Sequence, residues 1–134
     1  MVAALVHGNF DGEVTEMELA TRHFIRPKDL NHHETVYAGQ LADWLTEAAM
    51  VGVTQIVKKN NDVVLATLKE MRVLKPITSG CILEFEYETQ HLGTTSIEIF
   101  VNVKDMLSQE QYARGSAVFV TVDENGKKTP HGLM

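Results

Sequence analysis

The sequence predicts an α+β fold in which an antiparallel β-sheet wraps around one long central helix. Three observations carry this expectation. Residues 38–58 repeat apolar side chains at spacings of three and four and are apolar nearly all round, so the helix they form needs burying. One alternating segment precedes that helix, and four more follow it, joined by short turns. No linker, internal repeat or low-complexity tract interrupts the 134 residues, a length that supports one core without a metal or disulfide staple. A single domain is expected, with its core over about residues 17–122 and tails on either side.

In chain order, residues 1–15 show no period and read as a tail or loop. Over 17–25, Met17, Leu19 and Thr21 alternate with Glu18, Ala20 and Arg22 as in a strand, and Pro27 ends it because proline cannot donate to a ladder. A polar loop, 27–34, leads into the helix, whose end is marked by Lys58, Lys59, Asn60 and Asn61. Residues 63–74 are rich in β-branched side chains and are closed by Lys75-Pro76. Ser79-Gly80 turns the chain into 82–90, where Leu83, Phe85 and Tyr87 alternate with Glu84, Glu86 and Glu88, a pattern that implies a solvated acidic face. After a turn at 91–94, Ile97, Ile99, Val101 and Val103 form the next strand. A loop near 107–110 precedes the last strand, 112–122, and residues 123–127 turn into a polar tail. A sheet covered on one face has the other free to pair, so oligomerisation is expected.

Composition narrows the function. The 18 acidic residues outnumber the 12 basic ones, giving a formal charge of -6, which argues against non-specific nucleic-acid binding. Cys81 is the only cysteine, so no intrachain disulfide can form, and its apolar surroundings suggest a buried structural thiol. No run approaches the roughly 18 apolar residues of a membrane span. The first residues are too short an apolar patch, and lack the basic start, for a signal peptide, so a cytoplasmic protein without membrane contact is expected. Neither G-x-x-x-x-G-K-[ST] nor G-x-G-x-x-G occurs.

The chemistry concentrates between Arg26 and Gly52. A loop holding Asn31, His32, His33 and Glu34 passes through Tyr37, Ala38 and Gly39 into the helix. Backbone N–H groups at a helix start converge on one point, which suits a developing negative charge. Neighbouring His32 and His33 diverge, and no spaced His, Cys or Asp set completes a ligand sphere, so no metal is implied. His23 sits on a strand pattern and reads as structural, while His7, His91 and His131 read as loop or tail residues and Trp44 as core or interface.

This order of elements, together with Asn31-His32-His33, Tyr37, Gly39-Gln40-Leu41 and Trp44, resembles the hotdog-fold acyl-CoA thioesterases. Their pattern is roughly N-x-x-G-x-x-F/H-G-G-x-L/I followed by a helical Asp or Glu. Arg72-Val73-Leu74-Lys75-Pro76-Ile77 and Gly80 also resemble the family's strand and turn before a hairpin. Three positions depart from it. Glu34 stands where the family has glycine, Ala38 replaces the first paired glycine, and the acidic slot counted from Gly39 falls on Thr46, with Glu47 one residue later.

The resemblance implies thioester hydrolysis to a free acid and CoA with no cofactor. The backbone N–H groups of Ala38 or Gly39 would polarise the carbonyl, and Asn31 would orient the water or the carbonyl. Glu47 would be base or nucleophile, with Thr46 as the alternative occupant of that slot. His32, His33, Tyr37 and Ala38 would line the acyl-CoA site. Arg72 and Lys75, with Lys58, Lys59 and Arg114 as further candidates, would meet the CoA phosphates. A homodimer, or a tetramer or hexamer built from dimers, follows from the same resemblance. Two alternatives stay open: a hotdog module that binds acyl-CoA or an acyl carrier without turnover, and a hotdog dehydratase.

Overall fold

The structure, a computed structural model, describes residues 17–58 and 62–133. The expected tail at 1–15, and Lys59, Asn60 and Asn61, lie outside the described residues. Seven elements follow one another. Strand β1 (Glu18–Phe24) leads through a 3-10 turn (Pro27–Asp29) to helix α1 (Ala38–Val57). Strands β2 (Val63–Val73), β3 (Ile82–Leu92), β4 (Ser96–Asp105) and β5 (Gln111–Thr121) complete the chain. The sheet order is β1-β3-β4-β5-β2, and every neighbouring pair is antiparallel. This is the hotdog arrangement that the order of elements predicts. Among the described residues no helix is long and apolar enough to cross a membrane.

Helix α1 lies across one face of the sheet. Leu41, Trp44, Leu45, Ala48, Ala49, Gly52 and Val53 are its buried side, matching the three-and-four spacing. They meet Leu83, Phe85 and Tyr87 of β3, Ile97, Ile99, Val101 and Val103 of β4, and Ala113, Ala117 and Phe119 of β5 in one apolar cluster. Gly52 sets how closely the two layers approach, because a Cβ there would stand 2.6 Å from the Tyr87 ring. At its C-terminus the helix stops on Lys58, whose left-handed φ of 64° turns the chain while its N–H bonds the Thr54 carbonyl at 2.7 Å.

The opposite face of the sheet departs from the expected solvated one. Glu84 and Glu86 are 8% and 6% exposed. Neighbouring strands supply their partners. Lys104 Nζ lies 2.9 Å from Glu86 and 3.9 Å from Glu84, Asn102 donates to Glu86 at 2.7 Å, and Arg22 pairs with Glu84 at 2.8 Å. Gln111 donates to Asn102, and Gln109 reaches back from the β4–β5 loop towards Glu84 at 3.4 Å. Long side chains from four strands and a loop thus cover one another, which strand alternation in β3 alone does not reveal. The turn after β3 also begins later than expected, since His91 is still paired with Glu98 of β4. His131 is held too, its ring bonding the Gly93 carbonyl at 2.6 Å. Cys81 is half-buried and donates to the Thr78 carbonyl at 3.0 Å, and burial pushes its thiol up, away from the reactive thiolate.

Lys104→Met leaves Glu86 with its amide donor but no cation in a buried place. We expect it to destabilise the protein by about 3 kcal/mol in urea denaturation. Glu88 extends the acidic row, and desolvation first, then the Glu86 charge, pushes its carboxyl from an ordinary 4.5 up to about 7. The folded state therefore binds a proton that the unfolded chain has lost between those two values, so stability falls as pH rises through this window. Glu88→Gln should match wild type near pH 4 and exceed it near pH 8 by about 1 kcal/mol, a figure already reduced for solvent screening. Thermal melts at the two pH values read the difference.

Candidate active site

The loop ahead of α1 is built by one carboxylate, Asp29, and one carboxamide, Asn31. Asp29, 3% exposed, accepts the Arg26 N–H at 2.9 Å, and its backbone carbonyl accepts the Tyr37 N–H at 3.0 Å. Asn31 organises the rest. Its Oδ1 takes the N–H of His33 at 2.8 Å, the N–H of Thr35 at 3.3 Å and the Thr35 hydroxyl at 3.3 Å. Those donors fix the amide's orientation, so the side-chain group left to act elsewhere is the Nδ2 donor pair. Leu30 and Val36 bridge the loop's base, and Val36 ties to Ile77 at 2.8 Å.

Glu34 closes this turn in the left-handed region, with φ of 63°. That is the conformation glycine adopts freely and a side chain adopts at a penalty. The departure noted in the sequence is therefore a substitution at a position whose backbone still has glycine's shape.

Helix α1 then begins without a side-chain cap and without an acid in its first turn. The Leu41 N–H is the first to bond back into the helix, to Tyr37 at 3.1 Å. The N–H groups of Ala38, Gly39 and Gln40 are thus the open donors of the helix start, at the positive end of its dipole. Tyr37 is exposed, and its ring lies over Gly39, where an added Cβ would come within 2.6 Å of it. His32 and His33 are exposed beside the loop, and instead of diverging as expected their rings meet with centres 4.0 Å apart.

The two candidates for the acidic slot point different ways. Trp44 faces β1 and Leu45 faces Gly115 of β5, so the wheel carries Thr46 on towards the β2 flank and returns Glu47 to the β1 side. The Thr46 hydroxyl turns back onto its own helix, within 3.0 Å of the Ala42 carbonyl and 2.9 Å of that of Asp43. The Glu47 side chain is 54% exposed and meets His23 Nε2 at 3.1 Å. Eight residues separate Gly39 from Glu47, about 12 Å along the axis, so the helix start and Glu47 of one chain do not touch the same carbonyl.

A cleft of about 420 Å³ opens on the β1 side, lined by Arg22, His23, Phe24, Arg26, Lys28, Asp29, Gln40 and Trp44. It is richer in cations than in acids, and none of these cations is among those the sequence singles out for CoA. Arg72 and Lys75 lie in and just after β2 at the far edge of the sheet, paired with Glu70 and Glu110. His23, which the sequence pattern marks as structural, lines this cleft and meets Glu47. The available signal was the alternation with Thr21, which turns both towards the helix side, opposite Leu83 and Phe85.

Residues 33–106 match the thioesterase superfamily. The chain belongs to this superfamily. It is 31% identical over 108 residues to the uncharacterised acyl-CoA thioester hydrolase YkhA of Bacillus subtilis, covering 78% of this chain. The chain spans 62% of the length of that relative. An acyl-CoA hydrolase from Staphylococcus aureus, solved with butyryl coenzyme A, coenzyme A and coenzyme A disulfide, is 28% identical. It superposes with a TM-score of 0.75 over 82% of this chain and 66% of that one. A hexameric hotdog-fold thioesterase of Campylobacter jejuni superposes with a TM-score of 0.72 at 19% identity, over 84% of this chain and 89% of that chain.

Glu34→Gly should relieve the left-handed strain. After the added freedom of glycine in the unfolded chain is subtracted, we expect a gain of roughly 0.5 kcal/mol in denaturant midpoint experiments. A loss of stability there would mean that Glu34 makes a compensating interaction.

Proposed function

We propose that this chain is an acyl-CoA thioesterase, hydrolysing an acyl-CoA thioester to the free acid and CoA. The observation that carries the reading is the uncapped, acid-free start of α1 directly behind the loop that Asn31 organises, in a chain of the thioesterase superfamily. The open N–H groups of Ala38 and Gly39 donate to the thioester oxygen as it gains charge. Asn31, whose Oδ1 is occupied, acts through Nδ2 as a further donor, to the carbonyl or to the attacking water. Glu47 takes a proton from that water as it adds to the carbonyl carbon; the C–S bond then breaks and the CoA thiolate takes the proton. YkhA's description as an acyl-CoA thioester hydrolase, and the CoA-bound state of the S. aureus enzyme, support CoA as the carrier.

The 12 Å between helix start and Glu47 makes this a site shared between copies, one supplying the donors and another the carboxylate. The exposed apolar side chains of β2, Val64, Leu65, Leu68 and Val73, support association of this chain with itself, as does the hexameric state of the C. jejuni neighbour. His32, His33 and Tyr37 border the acyl-CoA at the loop, and Arg72 and Lys75 meet its phosphates from a neighbouring copy. A non-catalytic acyl-CoA binder is the second reading, favoured by the threonine in the acidic slot, whose hydroxyl is turned onto its own helix.

Thiol release from short, aromatic and long acyl-CoAs tests both readings. Asn31→Ala and Glu47→Gln should each lower kcat by about 100-fold, with Thr46→Ala within about threefold of wild type. A dead Thr46→Ala with an active Glu47→Gln would move the chemistry to the β2 flank. Acyl-CoA binding without thiol release would favour the binder.

A further inference from the structure

We propose that His23 is the positioning residue for Glu47, holding its carboxylate by a hydrogen bond from Nε2. The proposal rests on the reading of Glu47 as the hydrolytic carboxylate. A glutamate on an exposed helix flank samples many rotamers, and a general base is effective only where its oxygen is held in place. His23 supplies what the helix itself does not. Its Nε2 lies 3.1 Å from Glu47 Oε1, and with the carboxylate ionised that nitrogen carries the proton and donates.

The imidazole is itself immobilised. It stacks on Trp44 with ring centres 4.6 Å apart and planes 15° from parallel, and it stands edge-on to Phe85 at 5.5 Å and 89°. Trp44 is 7% exposed and Phe85 fully buried, so the ring rests on two fixed walls. Behind it, β1 is locked to β3 by the pairing of His23 with Leu83 and of Arg22 with Glu84. The bond to Oε1 uses one carboxylate oxygen and leaves Oε2 for water. His23 also lines the cleft with Arg22, Arg26 and Lys28, which puts the carboxylate's anchor in the wall of a space open to an anionic substrate.

Two substitutions separate positioning from packing. His23→Phe keeps a ring on Trp44 and removes the donor, whereas His23→Gln keeps an amide donor near Nε2 and removes the ring. With thiol release as the readout, His23→Phe should lower kcat by about tenfold or more with KM within about threefold, and His23→Gln should recover most of the activity. In a Glu47→Gln background, His23→Phe should cause no further loss. Circular dichroism of Trp44, the single tryptophan, confirms that each variant is folded. The His23 ring resonances should shift on Glu47→Gln, a readout independent of turnover. An active His23→Phe beside an impaired His23→Gln would overturn the proposal in favour of packing, and so would additive losses in the double variant. Wild type that releases no thiol from any acyl-CoA would overturn the thioesterase reading and this role with it. An active wild type with a dead Glu47→Gln and an undiminished His23→Phe would overturn this role alone.

Discussion

The contact of helix α1 with the sheet at Gly52 is the constraint from which the other features follow. With no side chain between them, the helix backbone and the Tyr87 ring meet directly, and Tyr87 also donates its hydroxyl to Gln55 one turn on. Fixing the helix in depth and rotation places its start against the loop tied down by Asp29 and Asn31. It also turns Trp44 to the His23 ring. The loop has no core of its own; its shape comes from side-chain oxygens that satisfy the backbone N–H groups a turn leaves open.

Helix α1 consequently shows two chemically different flanks. Towards β1 it presents Trp44 and Gln40 to a cleft carrying Arg22, Arg26 and Lys28, and Glu47 to the His23 ring nitrogen. Towards β2 it presents Thr46 beside a strand that exposes the large apolar side chains Val64, Leu65, Leu68 and Val73. The polar flank suits a charged ligand, and the apolar flank suits a second protein surface. The single-residue difference between Thr46 and Glu47 is thus a difference of about 100° and of neighbourhood.

The element order and the core were legible because they rest on short-range pattern. Spacings of three and four mark α1, and alternation marks Leu83, Phe85 and Tyr87 or Ile97, Ile99 and Val101. The polar loop before the helix, and glycine's vacancy at Glu34, were also visible as a motif with a gap in it. What stayed hidden depends on which strands lie side by side. Glu84 and Glu86 look solvated until β4 brings Lys104 and Asn102 against them. His23 looks structural until α1 swings Glu47 within reach across 24 residues of sequence. Arg22, Arg26 and Lys28 gather at one cleft only because β1 and the turn after it fold beside the helix. Long-range pairing is invisible to periodicity.

The buried charges on the outer face of the sheet have a consequence for how the strands find one another. The inner faces of β3 and β4 are rows of similar apolar side chains, and a slip of two residues would keep each of them under the helix. The outer face would not tolerate it. Slid one way, Glu86 would come opposite Phe100 and Lys104 would pass beyond both carboxylates to Ile82; slid the other, Glu84 would face Met106. The first slip strands Lys104 and takes the cation from Glu86, and the second leaves Glu84 with Arg22 alone, so the layer of Glu84, Glu86, Asn102 and Lys104 acts as a key for strand alignment. Its value lies less in the stability of the correct sheet than in the exclusion of its near neighbours.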